Sequence, residues 1–183
     1  LLLGKTMPDL PQEILEKAQN IKLLVLDVDG VLSDGKLYYS DKGDEIKAFN
    51  TLDGQGIKLL QNSGIEVALI TGRESKIVTL RAKELGIEQL IQGCEEKLDA
   101  LNTILKAMSL SLQQVAYIGD DLPDLACIRR VGFGVTVPNA NPVILQHALC
   151  CTERPGGQGA VREICDLILQ AQNKFDSAIA PFM

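Results

Sequence analysis

The chain alternates between short, continuous apolar runs and longer segments with helical periodicity. Runs such as LLVL at 23–26, VALI at 67–70 and VAYI at 115–118 contain no charged residue. Such runs are typical of strands in a parallel sheet that is buried on both faces. The pattern predicts strands at 21–27, 65–70, 88–91, 115–118, 132–136 and 149–151.

Helical patterns fill the intervals between these strands. They predict helices at about 12–20, 54–63, 75–85 and 95–108, and further helices that begin near 122, 142 and 159. Strand–helix alternation implies right-handed crossovers and therefore an α/β fold with a doubly wound parallel sheet. In such sheets ligands bind at the carboxyl ends of the strands.

One segment interrupts this alternation. Residues 36–50, KLYYSDKGDEIKAFN, read as two short strands around a polar turn at 40–44. A β-hairpin of this size is too small to be stable alone, so it needs a partner surface. No insertion is long enough for a large cap domain. We expect a leader and short helix over 1–20, one domain over 21–173 and a flexible tail over 174–183.

Composition narrows the class of protein. A chain of 183 residues is long enough for one domain with its own core. The formal net charge of -6 and the absence of a Lys/Arg cluster argue against a nucleic-acid partner. The opening LLLGKTMPDLP predicts neither a signal peptide nor a membrane span. The five cysteines lack C-x-x-C spacing and the single His147 completes no zinc pattern, so we expect reduced thiols in a cytoplasmic protein.

Polar residues collect where the predicted strands end. D-V-D-G occupies 27–30, T-G-R-E occupies 71–74, G-D-D-L-P-D occupies 119–124, and a helix begins near Lys97. The predicted topology brings these four loops to one edge of the sheet. Carboxylates crowded together raise each other's pKa, and a divalent cation removes that cost. All-oxygen ligation with substrate phosphate is the preference of Mg²⁺.

The same residue types suit phosphoryl transfer. Thr71 is a candidate donor to a phosphate oxygen, and Lys97 a candidate point charge on the phosphate. Asp27 fits as a nucleophile at the end of a rigid strand. Asp29 lies two residues on and faces the same side if the chain stays extended. It is therefore a candidate to protonate the leaving oxygen and later to activate water.

Each of these features alone has an ordinary structural explanation. D-x-D-G also describes a capped turn, T-G-R a plain turn, and Lys97 a solvated helix lysine. G-D-D-x-x-D also describes a helix N-terminus with favourable acids. Their order along the chain and their shared position at strand ends favour the chemical interpretation.

The four stretches resemble the motifs of the haloacid dehalogenase superfamily of phosphohydrolases, over about 21–170. The resemblance implies that Asp27 forms an aspartyl-phosphate and binds Mg²⁺. It implies that Asp29 is the general acid and base and binds the metal through its carbonyl oxygen. Asp120 completes the protein ligands. Asp121 and Asp124 are implied to have structural roles next to these ligands.

A narrower resemblance joins residues 29–60, 119–125 and 156–169 to the 3-deoxy-D-manno-octulosonate 8-phosphate phosphatase family. It implies hydrolysis of a sugar-acid phosphate in lipopolysaccharide precursor biosynthesis, without a large cap domain. It also implies a homotetramer in which hairpins and C-terminal tails lie at subunit contacts and neighbouring subunits cover each active site. Ser33 stands where Thr is more usual.

A sugar-acid substrate needs cations for its carboxylate. Arg73, with Gly72 beside it, follows Thr71 and is the leading candidate. Arg154 and Arg162 flank a glycine-rich stretch and would reach an active site if that segment folds over it, although either also reads as a surface arginine. Asp53 and Gly54 are further candidates to line the pocket.

Three alternatives remain at this stage. The phosphate motifs do not separate the eight-carbon substrate from a related nine-carbon keto-acid phosphate. A receiver-like phospho-accepting module also uses a strand-end Asp, a Thr and a Lys, but Asp29 argues against a persistent aspartyl-phosphate. A noncatalytic assembly module would not be expected to retain the complete set of acids with Thr71 and Lys97.

Overall fold

The central sheet of the protein is parallel and buried. A computed structural model describes residues 11–183, so residues 1–10 of the leader and short helix that we expected over 1–20 lie outside the described residues. The strands are β1 Leu23–Leu26, β2 Tyr38–Tyr39, β3 Glu45–Ile46, β4 Glu66–Ile70, β5 Gln89–Ile91, β6 Val115–Ile118, β7 Phe133–Thr136 and β8 Cys150–Cys151. All strands except β2 and β3 form one parallel sheet in the order β5-β4-β1-β6-β7-β8.

The helices are α1 Gln12–Gln19, α2 Thr51–Asn62, α3 Lys76–Glu84, α4 Lys97–Met108, α5 Leu125–Ile128, α6 Pro142–His147, α7 Ala160–Ala171 and α8 Phe175–Ile179. Helices α1 and α2 pack against α7, while α4, α5 and α6 pack in succession. Right-handed crossovers place these two groups on opposite faces of the sheet, because the direction of strand addition reverses at β1. The doubly wound fold predicted from the alternation of strands and helices is confirmed.

The strands are buried on both faces, as their continuous apolar sequence predicts. Every residue of β1, β6 and β7 is buried. Leu26 pairs with Leu69 on one side and with Ile118 on the other, so these three strands end nearly level. Their carboxyl ends therefore deliver the following loops to one edge of the sheet, at the point where the strand order reverses.

The hairpin inserted after β1 pairs antiparallel, with Tyr38 opposite Ile46. Its turn is closed by Ser40, whose backbone N–H donates to the carbonyl of Asp44. Apart from this hairpin, the described chain between β1 and α2 carries no further strand or helix. The small insertion predicted from the sequence is thus confirmed, and it stands at the edge of the sheet where the polar loops lie.

The C-terminal segment differs from the flexible tail that we expected over 174–183. It contains α8 and a 3₁₀ turn at Ala180–Phe182. Phe175 and Ala178 pack against the core, and Lys174 Nζ donates to the carbonyl of Ser63 at 3.0 Å. The apolar contacts of two side chains spaced one helical turn apart explain why the segment is helical, a spacing we overlooked in FDSAIAPFM.

No helix of the described chain is both long enough and apolar enough to cross a bilayer.

Candidate active site

Asp27 lies at the centre of the candidate site. It directly follows β1, and its backbone N–H continues the sheet by donating to the carbonyl of Ile118 at 3.0 Å. Asp120 and Asp124 follow the neighbouring strand β6. One carboxylate oxygen from each of these three residues lies within 4.8 Å of the other two. The strand ends therefore bring together the acids that the sequence placed on separate loops.

Lys97 is the cation of this cluster. It is the first residue of α4 and its side chain is only 4% exposed. Its ammonium donates to Oδ1 of Asp27 and to Oδ1 of Asp124, both at 2.7 Å. Burial opposes the charge on this lysine, but the two carboxylates more than offset that effect and raise its pKa. Lys97 is therefore a fixed positive charge beside Asp27.

Asp124 is fully engaged in holding the cluster together. Its Oδ1 accepts hydrogen bonds from Lys97 and from the buried Tyr117 hydroxyl at 2.8 Å. Its Oδ2 accepts from the backbone N–H groups of Asp120 and Asp121 at 3.1 and 3.3 Å. Four donors on one carboxylate orient both Lys97 and the loop that carries Asp120. This geometry is consistent with the structural role expected of Asp124, which is to hold its neighbours in position.

Asp120 lacks such partners. Among the described residues, no hydrogen bond reaches its carboxylate. Burial and then the charges of Asp27 and Asp124 raise its pKa to about 8. Burial and Asp124 likewise raise the pKa of Asp27 to about 6, against the opposing effect of Lys97. The pair therefore has more negative charge than its protein surroundings compensate.

This donor set fits a hard divalent cation. Asp27 and Asp120 offer carboxylate oxygens at one edge of the sheet, and such oxygens are the ligands that Mg²⁺ prefers. Gly30 leaves room beside them, since a Cβ at this position would lie 2.0 Å from Oδ2 of Asp120. Its φ of 102° also turns the chain sharply after Asp29. Any side chain at position 30 would displace a proposed ligand.

Asp29 follows Asp27 by two residues and contacts the hairpin. Its Oδ1 accepts hydrogen bonds from Lys47 Nζ and, at 3.4 Å, from Ser33 Oγ. Its Oδ2 lies 3.8 Å from Nε of Arg73. The carboxylate is thus surrounded by cationic groups and remains partly exposed, as a group that exchanges protons with a substrate requires.

The loop after β4 carries three of the predicted residues. Thr71 is buried next to β1, and its hydroxyl accepts the backbone N–H of Arg73 at 3.5 Å. Gly72 is exposed. The Arg73 side chain is 41% exposed, and its guanidinium donates to the Tyr39 hydroxyl at 2.9 Å and to Glu45 at 3.4 Å, so it lies between this loop and the hairpin. Arg73 therefore lies at the rim of the site beside Asp29, and its contact with substrate stays a prediction.

Comparison with known proteins agrees with this geometry. Residues 89–164 match the model of the haloacid dehalogenase-like hydrolase family. The chain is 49% identical over 166 residues to the 3-deoxy-D-manno-octulosonate 8-phosphate phosphatase KdsC of Escherichia coli strain K12, covering 91% of this chain and 88% of that protein. The chain belongs to the 3-deoxy-D-manno-octulosonate 8-phosphate phosphatase family.

Two solved structures of this phosphatase family are similar along nearly their whole length. The enzyme of Moraxella catarrhalis, in complex with magnesium, phosphate and KDO, is 51% identical with a TM-score of 0.92, covering 93% of this chain and 98% of that one. The enzyme of Yersinia pestis is 48% identical with a TM-score of 0.90, covering 91% and 90% of the two chains. Both also support the fold described above.

Two residues expected to line the phosphatase pocket lie elsewhere. Asp53 is buried, and its Oδ1 accepts the backbone N–H of Arg162 at 2.8 Å, so it caps the start of α7. Gly54 is buried under Arg81, whose guanidinium would lie 2.5 Å from a Cβ at that position. The expectation is wrong because both residues lie in the packing between helices, which an isolated D-G pair does not reveal.

Arg154 and Arg162 are not brought to the carboxylate cluster within this chain. They line a separate cavity of about 250 Å³ together with Asp166. Nε of Arg162 donates to both carboxylate oxygens of Asp166, at 2.8 and 2.9 Å. Their proposed substrate contacts therefore have no support from the fold of a single subunit.

Asp121 lies at the edge of the loop after β6. It is exposed and accepts a hydrogen bond from Asn141.

Sequence reasoning missed Glu45 and Lys47 of the hairpin. Glu45 accepts a hydrogen bond from the Ser75 hydroxyl at 2.6 Å, and Lys47 contacts Asp29. A signal was present, because residues two apart on a strand share a face and these two carry opposite charges. What the sequence did not give is the direction in which the hairpin folds back.

Proposed function

We propose that this protein is a Mg²⁺-dependent phosphatase that hydrolyses 3-deoxy-D-manno-octulosonate 8-phosphate to the free sugar acid and inorganic phosphate. The observation that carries the proposal is the cluster at the strand ends. Asp27 is held by Lys97 next to the unpaired carboxylate of Asp120, and Asp29 follows two residues later in the same loop. The substrate follows from the family, whose Escherichia coli member carries this activity in its name.

The proposed mechanism divides hydrolysis into two steps. A carboxylate oxygen of Asp27 attacks phosphorus, the bond from phosphorus to the sugar oxygen breaks, and Asp29 donates a proton to that oxygen. A water molecule then attacks phosphorus while Asp29 accepts its proton, which releases phosphate and regenerates Asp27. In this mechanism Lys97 and Thr71 bind phosphate oxygens and hold the group in line with Asp27.

Mg²⁺ would be held by Asp27 and Asp120, with the carbonyl of Asp29 as a further candidate ligand. When bound, the ion neutralises negative charge on the phosphate and on the two carboxylates. Asp124 holds the Asp120 loop and Lys97 in place through its four hydrogen bonds. In this proposal Asp121 contributes only to the local structure of that loop.

Substrate choice is proposed to depend on Arg73. Its side chain is 41% exposed at the rim, and a sugar-acid carboxylate would compete for the guanidinium with Tyr39, Glu45 and Asp29. Arg154 and Arg162 would contribute only to a neighbouring subunit's site, since they lie away from the carboxylate cluster of their own chain. We also propose a cytoplasmic location, on the grounds of the thiol pattern and the substrate class.

A substrate panel tests this function. We expect phosphate release from 3-deoxy-D-manno-octulosonate 8-phosphate at a kcat/KM at least about tenfold above that for a nine-carbon keto-acid phosphate, a difference of about 1.4 kcal/mol. EDTA should abolish turnover, and added Mg²⁺ should restore it. Failure to hydrolyse any phosphate monoester would refute the phosphatase assignment. A preference for the nine-carbon substrate would refute only the assignment of 3-deoxy-D-manno-octulosonate 8-phosphate as the substrate.

We further propose a homotetramer with the hairpins at its subunit contacts. The hairpin exposes a group of apolar side chains, namely Leu37, Tyr38, Tyr39 and Ile46, with Leu52 close by in sequence. Two strands of two residues each do not stabilise such a surface, and a partner surface would cover it. The family resemblance supports four copies.

Sedimentation velocity tests the assembly. The wild-type chain should sediment as a tetramer, and Leu37→Lys should shift it to smaller species because it places a charge in the proposed contact. Leu37 is 49% exposed in the single chain. Leu80→Lys is the matched control, since Leu80 is 63% exposed but lies on α3. A wild-type monomer with full activity would contradict the proposal, as would a Leu37→Lys tetramer.

A further inference from the structure

Lys47 is the most deeply buried charged side chain of the hairpin. It follows β3 directly, and its side chain is only 2% exposed. Its ammonium donates to Oδ1 of Asp29, a contact that joins the hairpin to the loop after β1. Burying an ammonium is costly unless it is paired and hydrogen-bonded, so this contact is a specific feature of the fold.

The position of this ammonium is fixed from a second direction. Nζ of Lys47 also lies 3.3 Å from Oε1 of Glu45, two residues earlier in the chain. Oε2 of Glu45 in turn accepts the hydroxyl of Ser75 at 2.6 Å, and Ser75 is the N-cap of α3. Glu45 thus anchors the hairpin at α3. This anchor fixes the position from which Lys47 contacts Asp29.

The two carboxylate oxygens of Asp29 have different partners. Oδ1 accepts from Lys47 and from Ser33. Oδ2 accepts no hydrogen bond among the described residues and has Nε of Arg73 at 3.8 Å. A carboxylate with one oxygen tethered and the other free of hydrogen bonds has a fixed direction in which it can exchange a proton.

We propose that Lys47 is a positioning residue for the reaction: it tethers Oδ1 of Asp29 so that Oδ2 faces the oxygen that is protonated or deprotonated. The inference rests on the proposed function, in which Asp29 is the general acid and base. It assigns the hairpin a direct part in the chemistry of its own subunit, in addition to its proposed part in assembly.

A role for Lys47 as a substrate-binding cation fits less well. Its side chain is almost fully covered, and its ammonium is already shared between Asp29 and Glu45. Arg73 also contacts Asp29 and Glu45, at 3.8 and 3.4 Å, but its side chain is 41% exposed, so a ligand carboxylate can reach it. The two cations of the rim therefore have different roles: Arg73 binds the ligand, and Lys47 positions Asp29.

A leaving-group series separates these roles. Substituted phenyl phosphates have nearly one shape but leaving oxygens of very different basicity, and only the basic ones need a proton from Asp29. For Lys47→Met we expect kcat/KM to fall at least about tenfold with phenyl phosphate and less than about twofold with 2,4-dinitrophenyl phosphate. The dependence on leaving-group basicity therefore becomes steeper than in the wild-type enzyme.

Two further variants complete the design. Lys42→Met removes an exposed lysine from the turn of the same hairpin and should keep the wild-type slope. Lys47→Arg keeps a cation and so protects folding, and it should give an intermediate slope because its planar group does not match a single tethering point. Circular dichroism establishes that each variant is folded.

The outcomes distinguish this inference from the function on which it rests. An equal fractional loss for every phenyl phosphate, in Lys47→Met or in Lys47→Arg, overturns the positioning role alone, because a purely structural or binding defect is indifferent to the leaving group. A wild-type enzyme that is inactive on every phosphate monoester overturns the proposed function and this inference with it.

Discussion

Asp27→Asn is expected to reduce kcat/KM for 3-deoxy-D-manno-octulosonate 8-phosphate by at least about 10⁴-fold, because an amide does not form the covalent intermediate. The substitution removes a carboxylate oxygen from the proposed Mg²⁺ site as well. Both effects act on the reacting phosphate, so residual activity through another group is not expected.

The fold should survive this change. The side-chain oxygen of the introduced asparagine still accepts the hydrogen bond that Lys97 donates at 2.7 Å to Oδ1. The variant also loses one of the charges that raise the pKa of Asp120, so repulsion within the cluster falls. In EDTA, its melting temperature should be equal to or above that of the wild-type protein.

The measurement is steady-state phosphate release beside a thermal melt followed by circular dichroism. Asp176→Asn provides the control, since Asp176 is an exposed residue of α8 far along the chain from the cluster. Mass spectrometry is needed to exclude deamidation of the introduced asparagine back to aspartate. Activity above about one per cent of wild type in an intact, folded variant would remove Asp27 as the nucleophile.

The fold was predictable because burial of a parallel sheet on both faces leaves a strong trace in the sequence. Runs such as VAYI carry no alternation, so each could be assigned as a central strand, and the structure confirms 115–118 to the residue. The hairpin was visible for the opposite reason, as a polar turn between two short segments. Helix α8 was missed because two apolar residues one turn apart in so short a stretch are a weak signal.

The candidate site was predictable as far as the sheet dictates it. Once the strands run parallel, Asp27, Thr71 and Asp120 must emerge at one edge, whatever the detailed packing. Residues placed by long-range packing were not predictable in this way. Asp53 caps a helix that begins far along the chain, and Lys47 reaches Asp29 only because the hairpin folds back over the loop after β1.

The cluster around Lys97 shows how stability and chemistry are linked in this protein. Lys97 is the cation between Asp27 and Asp124, and its pairing keeps both carboxylates in place without metal. The proposed Mg²⁺ would compensate Asp120, which Lys97 does not contact. One resident cation and one bound cation would then neutralise charge on three carboxylates.

Lys97→Met should accordingly lose both activity and stability. Removing a charged donor to the phosphate is expected to reduce kcat at least about 10²-fold. Removing one partner of a buried ion pair leaves Asp27 and Asp124 uncompensated, with an expected loss of about 3–5 kcal/mol in the free energy of unfolding at pH 8. The matched control is Lys106→Met, the same change at an exposed position in the last turn of α4.

The stability loss should depend on pH in a defined direction. Lys97 lowers the pKa of Asp27, which burial and Asp124 raise to about 6 in the wild-type protein. Without Lys97 that pKa rises further, so the folded variant binds a proton in a range where the unfolded chain, with a pKa near 3.8, does not. Stability falls with rising pH wherever the folded state binds more protons. The deficit of Lys97→Met should therefore be smaller at pH 5 than at pH 8.

Denaturant unfolding in EDTA at several pH values measures this deficit without interference from metal. A deficit that is independent of pH between 5 and 8 would mean that Lys97 stabilises the fold through packing of its stem and not through its charge. A folded Lys97→Met enzyme with wild-type kcat would contradict its place at the phosphate. The combination expected here, a large loss of kcat with a stability deficit that acid reduces, requires the ammonium to lie between Asp27 and Asp124 in solution.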